Sequence, residues 1–471
     1  MKTPALFRTS YDQSACEIGW IHIGYGAFHR AHQAVYLDDY MERTGDLRWG
    51  IAAINLRDAQ SASFAEASEM AQGYVLKSIA PDHTLSYRAV RPHVAFVDAA
   101  QALAQALELF ERPSVSVASM TVTESGYAFR SDWSLNLDAP EISADLSSPA
   151  TPHTIYGFFA RALERRMQSG SGPLTILCCD NIRSNGHVVE NAMLSFVEAA
   201  GKPELAAWIR ANVTFPCSMV DRITPRVTTS LNDEISTLFP EHATSPVHAE
   251  DYTQWVLEDR FAGPMPDLTK AGVEVVADVA PYEEAKIRIL NGGHTGLAYL
   301  GALAGHQTFD QAMQDQSLRA HFEAWERDEV LHGLGDAIPF DTALYLNAVA
   351  ARFENAGIGD QLERICMDGY SKMPIYIRPT LAACLARGIV PKAGFDCIAS
   401  WIVFARRAAA GQSATPYHEP FAATLAPLLA HGAEEALASD ETLWGDLPKT
   451  YATFVPGITA AIQRMDEQWQ V

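Results

Sequence analysis

Four short apolar runs, each closed by glycine or polar residues and followed by helical periodicity, limit what this chain can fold into. The first spans residues 18–23 and meets a glycine turn at Gly24 and Gly26, ahead of a helical stretch over 29–43. The second covers 49–55 and ends on Leu56, Arg57 and Asp58; the third covers 115–122 and ends on Thr123 and Glu124. A helix over 154–168 leads into the fourth, 174–179, which ends at Asp180 and Asn181, and another helix starts near Gly186. Strands that alternate with helices pair in parallel and are covered on both faces. Ligands of such sheets bind beyond the carboxyl ends of the strands. The polar clusters at 24–32, 57–58, 123–124 and 180–181 all sit there, which predicts one shared cleft.

Near residue 285 the pattern changes. Helical periodicity dominates over 295–305, 316–327, 342–353 and 458–468, and strand signals become rare. The expected fold class is therefore α/β, with a parallel-sheet domain over 1–285 and a mostly α-helical domain over 286–471. Two domains are also what a length of 471 residues suggests. A net charge of -22 argues against nucleic acid and anionic membrane as partners. No apolar run is long enough to span a bilayer, and the first twenty residues lack a basic segment followed by an apolar core. The seven cysteines, with Cys178 and Cys179 adjacent, resemble neither a disulfide framework nor a paired-cysteine zinc site. A reduced cytoplasmic setting is expected.

The turn after the first run, IGYGAFHRAH, has the makings of a dinucleotide site, which makes the first domain Rossmann-like. Gly24 permits a tight turn, and Gly26, with Ala27 and Phe28 opening the helix, lets backbone approach a pyrophosphate. The third glycine of the usual fingerprint is His29. Asp58 follows the second strand, where an acidic residue holds ribose hydroxyls and selects NAD. Arg57 beside it is suited to a 2′-phosphate instead, and a solvated Arg–Asp pair is the plain structural alternative. His29 and His32 offer half a metal site at most; with no HExxH or cysteine-rich cluster, no metal is expected.

The richest stretch for chemistry is KIRILNGGH, residues 286–294. Read as one α-helix, Asn291 lies about 140° and His294 about 80° around the axis from Lys286, so all three share a face. A buried lysine sheds its proton more readily because desolvation disfavours the ammonium. An amide donates to a developing alkoxide, and a histidine binds or relays a proton. That set suits removal of a proton from an alcohol while a hydride leaves for a cofactor. The bland alternative is a helix start with an exposed lysine and a core histidine.

Together these segments resemble the polyol-specific long-chain dehydrogenases of the mannitol dehydrogenase family, which includes mannitol 2-dehydrogenase, arabinitol dehydrogenase and fructuronate (mannonate) reductase. The landmarks are GYGAFHRAHQA, TVTESGY, CCDNIRSNGHVVENA, FPCSMVDRITP, QWVLEDRF, KIRILNGGH and DGYSKMP. The resemblance implies a zinc-independent, NAD-dependent enzyme with Lys286 as general acid and base. It implies Asn291 and either Asn181 or Asn185 as oxyanion donors, His294 as a substrate-binding group and Glu283 as a proton path to solvent. Asp221 and Arg364 are implied substrate contacts, for which a structural ion pair is the alternative, and Glu124 is placed near the nicotinamide. Cys217 and Tyr370 depart from the family pattern and are expected near the substrate. The implied partner is a small polyol, ketose or sugar acid, in a monomer or small homo-oligomer. A mannonate oxidoreductase is the nearest alternative, and a nucleotide-binding regulatory protein without catalysis is the alternative from another class.

Overall fold

The computed structural model describes residues 4–69, 73–122, 124–130, 132–242 and 245–469, with the backbone alone at Glu124 and Ser125. The chain forms two compact units, residues 1–80 with 84–280 and residues 81–83 with 281–471. The division falls at 280/281, ahead of the expected 285/286, so nearly all of the helix Ala280–Ala285 belongs to the second unit.

The first unit is built on a six-stranded parallel sheet. Its strands are β1 (Ile18–Ile23), β2 (Gly50–Asn55), β3 (His93–Asp98), β4 (Val117–Met120), β5 (Leu174–Cys178) and β6 (Val213–Thr214). They lie in the order β3-β2-β1-β4-β5-β6, and each neighbouring pair is parallel. This is the dinucleotide-binding order. Every residue of β2, β4 and β5 is buried, because helices cover both faces and leave no solvated side to alternate towards.

Two smaller sheets were not foreseen. One joins Leu6–Arg8, Leu85–Val90, Tyr74–Ile79 and Val247–Glu250; the other joins Ser218–Asp221, Gln254–Glu258 and Glu274–Val276. The helix expected over 29–43 is two helices, Ala27–Ala31 and Gln33–Thr44, broken at His32, whose φ of -124° and ψ of -88° leave the helical region.

The second unit is helical. Its central helix, Lys392–Ala409, packs between Gly292–Leu303 and Phe454–Trp469 around Trp401, Ile402 and Phe404, all fully buried. The helix expected over 342–353 runs Thr342–Phe353. That expected over 316–327 is Gln316–Glu323 followed by a π-helical turn, Ala324–Val330. The single α-helix expected across 286–294 is likewise a π-helical turn, Lys286–Asn291, followed by the α-helix Gly292–Leu303. The Gly292 N–H reaches back five residues to Ile287 O, so the angular offsets of an ideal α-helix do not hold there. Among the described residues no helix is long and apolar enough to cross a membrane.

Candidate active site

In the first unit the crevice lies where β1 parts its two neighbours, β2 and β4. Gly24 leaves β1 with φ at +98°, and its N–H donates to Ile54 O at 3.0 Å. A Cβ on Gly24 would stand 2.1 Å from Thr121 O, so only glycine fits. Gly26 is the opposite case: a Cβ there would meet nothing within 4 Å. It precedes the helix Ala27–Ala31 and faces open space, as a backbone approached by a phosphate must. A cavity of about 330 Å³ is bordered by Gly24, Gly26, Asn55, Arg57, Thr121 and Val122, among others.

Two of the four polar clusters, 24–32 and 57–58, thus contribute to one cavity, and Asp180 and Asn181 do not border it. Thr123 and the side chain of Glu124 lie outside the described residues; Glu124 opens a short 3-10 turn, Glu124–Tyr127. Ala27 and Phe28 do not border the cavity, and Phe28 stacks on His32 with centroids 5.0 Å apart. Asp58 is not on the cavity wall either. Its Oδ1 accepts a hydrogen bond from Gln101 Nε2 at 2.6 Å, whereas Arg57 borders the cavity and donates to Val122 O at 3.3 Å.

His29, at the place of the third glycine, is fully buried. It stacks on His22 with ring centroids 3.3 Å apart, and its Nε2 lies 2.9 Å from His93 Nε2. Burial pushes the His22 imidazole down to about 3 and holds His29 and His93 well below the ordinary histidine range. This neutral layer beneath the turn escaped sequence reading, because residues 22, 29 and 93 carry no common spacing.

The loop after β5 is strongly fixed. Asp180 Oδ2 accepts from the Val122 N–H at 2.9 Å and from Tyr127 OH at 2.6 Å. Asn181 is exposed. Asn185 is buried, and its Nδ2 is directed at three carbonyls: Cys178 O at 3.0 Å, Asp180 O at 3.2 Å and Ser218 O at 2.8 Å. Its Oδ1 accepts from the Ser218 N–H at 2.9 Å. Both ends of that amide therefore serve the backbone. Asp221 ends its strand opposite Gln254 and is buried. Cys217 lies at the start of that strand, beside Glu258.

In the second unit Lys286 and Glu283 are only 7% and 6% exposed. The turn they flank is anchored by Arg288, whose Nε donates to Thr380 Oγ1 at 3.0 Å. Asn291 Oδ1 is buried with no hydrogen-bond partner among the described residues. His294 stacks on Phe353 with centroids 4.2 Å apart, and its Nε2 stands 3.9 Å from Asp360 Oδ2. The same Asp360 takes Arg364, through Nη2 to Oδ2 at 2.5 Å and Nε to Oδ1 at 2.9 Å. Arg364 is thus one arm of an ion pair whose other face meets His294. Tyr370 is buried, its N–H bonded to Glu419 Oε2 at 3.0 Å and its ring against Phe421.

Behind the turn is a group the sequence did not single out. Glu326 is fully buried, and neither carboxyl oxygen has a hydrogen-bond partner among the described residues. Burial holds its carboxyl well above the ordinary range. A Cβ on Gly293 would stand 2.6 Å from Glu326 Oε1, so glycine is what lets the two approach.

Residues 18–270 match the mannitol dehydrogenase Rossmann domain, and residues 278–466 match the mannitol dehydrogenase C-terminal domain. The chain belongs to the mannitol dehydrogenase family. It is similar to D-arabinitol 4-dehydrogenase of Klebsiella pneumoniae, 37% identical over 91% of this chain and 94% of the relative. It is similar to D-mannonate oxidoreductase of Escherichia coli (strain K12), 33% identical over 98% and 96%. Among solved structures it resembles Pseudomonas fluorescens mannitol 2-dehydrogenase in its ternary complex with NAD and D-mannitol, with a TM-score of 0.85 at 30% identity, covering 99% of this chain and 95% of that one. As a member of the mannitol dehydrogenase family the protein is an oxidoreductase acting on CH–OH, with a nucleotide cofactor. The open backbone at Gly26 and the crevice between β2 and β4 fit such a cofactor.

Proposed function

We propose that this enzyme interconverts a linear polyol of the mannitol or arabinitol type and its ketose, without a metal, using NAD. Gly24 and Gly26 hold the pyrophosphate end of the dinucleotide, which when bound takes up or supplies the hydride. Lys286, neutral, removes the hydroxyl proton during oxidation, and as the ammonium returns it during reduction. Asn291 and Asn181 donate to the oxygen as charge develops on it. The commitment of both ends of the Asn185 amide to backbone supports Asn181 over Asn185 as the second donor. Glu283, buried three residues before Lys286, passes the proton outward. His294 orients the substrate through its ring, with Asp360 and Arg364 behind it, and Asp221 supplies a further substrate contact.

The observation that carries this reading is Lys286, buried on the turn that also bears Asn291 with its unmatched carbonyl. A sugar acid instead of a neutral polyol asks for a cation. Arg364 is forked onto Asp360, and Lys372 Nζ donates to Ile365 O at 2.7 Å, which favours the neutral substrate. On the cofactor, Arg57 on the cavity wall and the Gln101 bond on Asp58 support use of NADP alongside NAD.

The test is a panel of polyols and sugar acids with NAD and with NADP, followed by absorbance of the reduced cofactor. A polyol should give the highest kcat/KM. Mannonate as the preferred substrate overturns the polyol assignment, and tight nucleotide binding with no turnover on any of them favours the regulatory alternative.

A further inference from the structure

The residues of the first unit converge at a place that the proposed reaction does not use. The helix Asn185–Ala199 begins at the loop after β5, and its first turn carries His187. Gly186 lies directly on the backbone of the 215–217 segment: a Cβ there would stand 2.3 Å from Phe215 O and 2.7 Å from the Cys217 nitrogen. The Asn185 side chain pairs with Ser218 through both N–H and C=O, at 2.9 and 2.8 Å. His187 is therefore held beside Cys217 with little slack. Cys217 and Glu258 are tied in the same reciprocal way. The Cys217 N–H donates to Glu258 Oε2 at 2.8 Å, and the Glu258 N–H donates to Cys217 O at 3.0 Å.

The result is a histidine nitrogen, a cysteine sulfur and a carboxylate oxygen, all within 4.8 Å of one another. Zinc bonds of about 2.0–2.3 Å put tetrahedral ligand atoms roughly 3–4 Å apart. The remaining adjustment is within reach of rotating the exposed His187 ring. Mixed nitrogen, sulfur and oxygen donors suit a borderline ion, with water as the fourth ligand. A contrasting cluster, His431 with Glu434 and Asp466, is already neutralised, since Arg406 bonds both carboxylates. Near the first cluster the adjacent cation, Arg260, is paired with Glu190 at 2.7 Å.

We propose that His187, Cys217 and Glu258 form a binding site for a zinc-class divalent ion, which fastens the helix Asn185–Ala199 to the strands Ser218–Asp221 and Gln254–Glu258. None of the three borders the nucleotide cavity, so the ion is structural or modulatory and the proton transfer stays with Lys286. Binding releases the thiol proton to solvent, and affinity rises with pH accordingly.

The test uses the full chain, reduced and stripped with chelator, titrated with Co²⁺ and then with Zn²⁺. One equivalent of Co²⁺ should give a sulfur-to-cobalt charge-transfer band in the near ultraviolet, and Zn²⁺ should abolish it. Cys217→Ser should lose the band, whereas Cys16→Ser, at the half-exposed cysteine outside the cluster, should keep it. His187→Ala and Glu258→Gln should weaken binding by more than about tenfold. Zinc should raise the Tm of the wild type and leave that of Cys217→Ser unmoved. No band at one equivalent, or a band that survives Cys217→Ser or depends on Cys16, overturns the site. If Cys217→Ser does not fold, His187→Ala decides, because that side chain is exposed: unchanged Co²⁺ affinity overturns the proposal.

Discussion

The two units differ in what their glycines face and in which charge their interiors refuse. In the first, Gly26 looks onto open space, and the buried layer beneath it is three histidines kept neutral against protonation. In the second, Gly293 is filled by its own chain. The group it admits, Glu326, is a carboxyl kept neutral against ionisation, and burial raises the nearby Glu329 on the same turn to about 7. One unit leaves room for a partner and resists acid poorly. The other closes around a helix start and resists base poorly. The open crevice and the turn proposed for proton transfer thereby lie in frameworks with opposite pH limits.

The sharpest way to separate the two roles is Lys286→Ala. It should cut turnover by about 10²–10⁴-fold, the contribution of a positioned general base, and leave NADH affinity, read by fluorescence titration, within a factor of two or so. Loss of nucleotide binding would break the division of labour.

The next effect concerns acid. The folded imidazoles of His22, His29 and His93 lie below the unfolded value of 6.5, so their contribution is complete above pH 6.5 and is lost as pH falls, for His22 through about 3. At pH 4 that loss is about 3 kcal/mol for His22. Hydrogen exchange should show the first unit opening before the second on acidification, and His29→Gln should flatten the slope of unfolding free energy below pH 6.5. A slope indifferent to that change removes the histidine layer from the comparison.

Glu329 should act in the other direction. Its folded carboxyl, raised from 4.5 to about 7, contributes stability fully below pH 4.5 that is lost as pH rises through 7. Its two backbone contacts, from Ala393 N–H at 2.7 Å and Gly394 N–H at 2.8 Å, favour the ionised form and limit the rise. The wild type should therefore lose about 3 kcal/mol more than Glu329→Gln between those two pH values, as measured by denaturant unfolding. Equal losses in the two proteins would show that the second unit has no such limit.

The smallest expected effect tests the open crevice. Arg57→Ala should lower kcat/KM with NADP by about tenfold, the worth of one exposed charge-assisted contact, and change the value with NAD little. An equal fall with both cofactors would move Arg57 from recognition of a phosphate to support of the loop.

Local signals made part of this legible. β1 with Gly24, the buried runs of β2 and β5, and the helix Thr342–Phe353 are each written in consecutive residues. The strand Leu85–Val90 was not, because it is largely solvated at its start and takes its partners from residues 6–8 and 74–79. The direction of Asp58 depends on Gln101, and the approach of Glu326 depends on Gly293. Both are contacts between distant positions with no periodic trace. The candidate proton-transfer residues were legible as a motif. The shape of the turn that holds them was not, since no local signal marks its five-residue bond from Gly292 to Ile287.

That turn has a consequence for descent and for engineering. A π turn is an α-helix carrying one surplus residue, and the surplus sets the phase between Lys286 and everything after Asn291. Rewinding the same residues as a regular α-helix, with none removed, would push that surplus into the phase of all that follows. Every side chain named in the motif would survive, yet the lysine would be turned by about 100° against Asn291 and His294. Alignments that score this region by residue identity, and designs that tidy it into an ideal helix, would both keep the letters of the motif and lose its register.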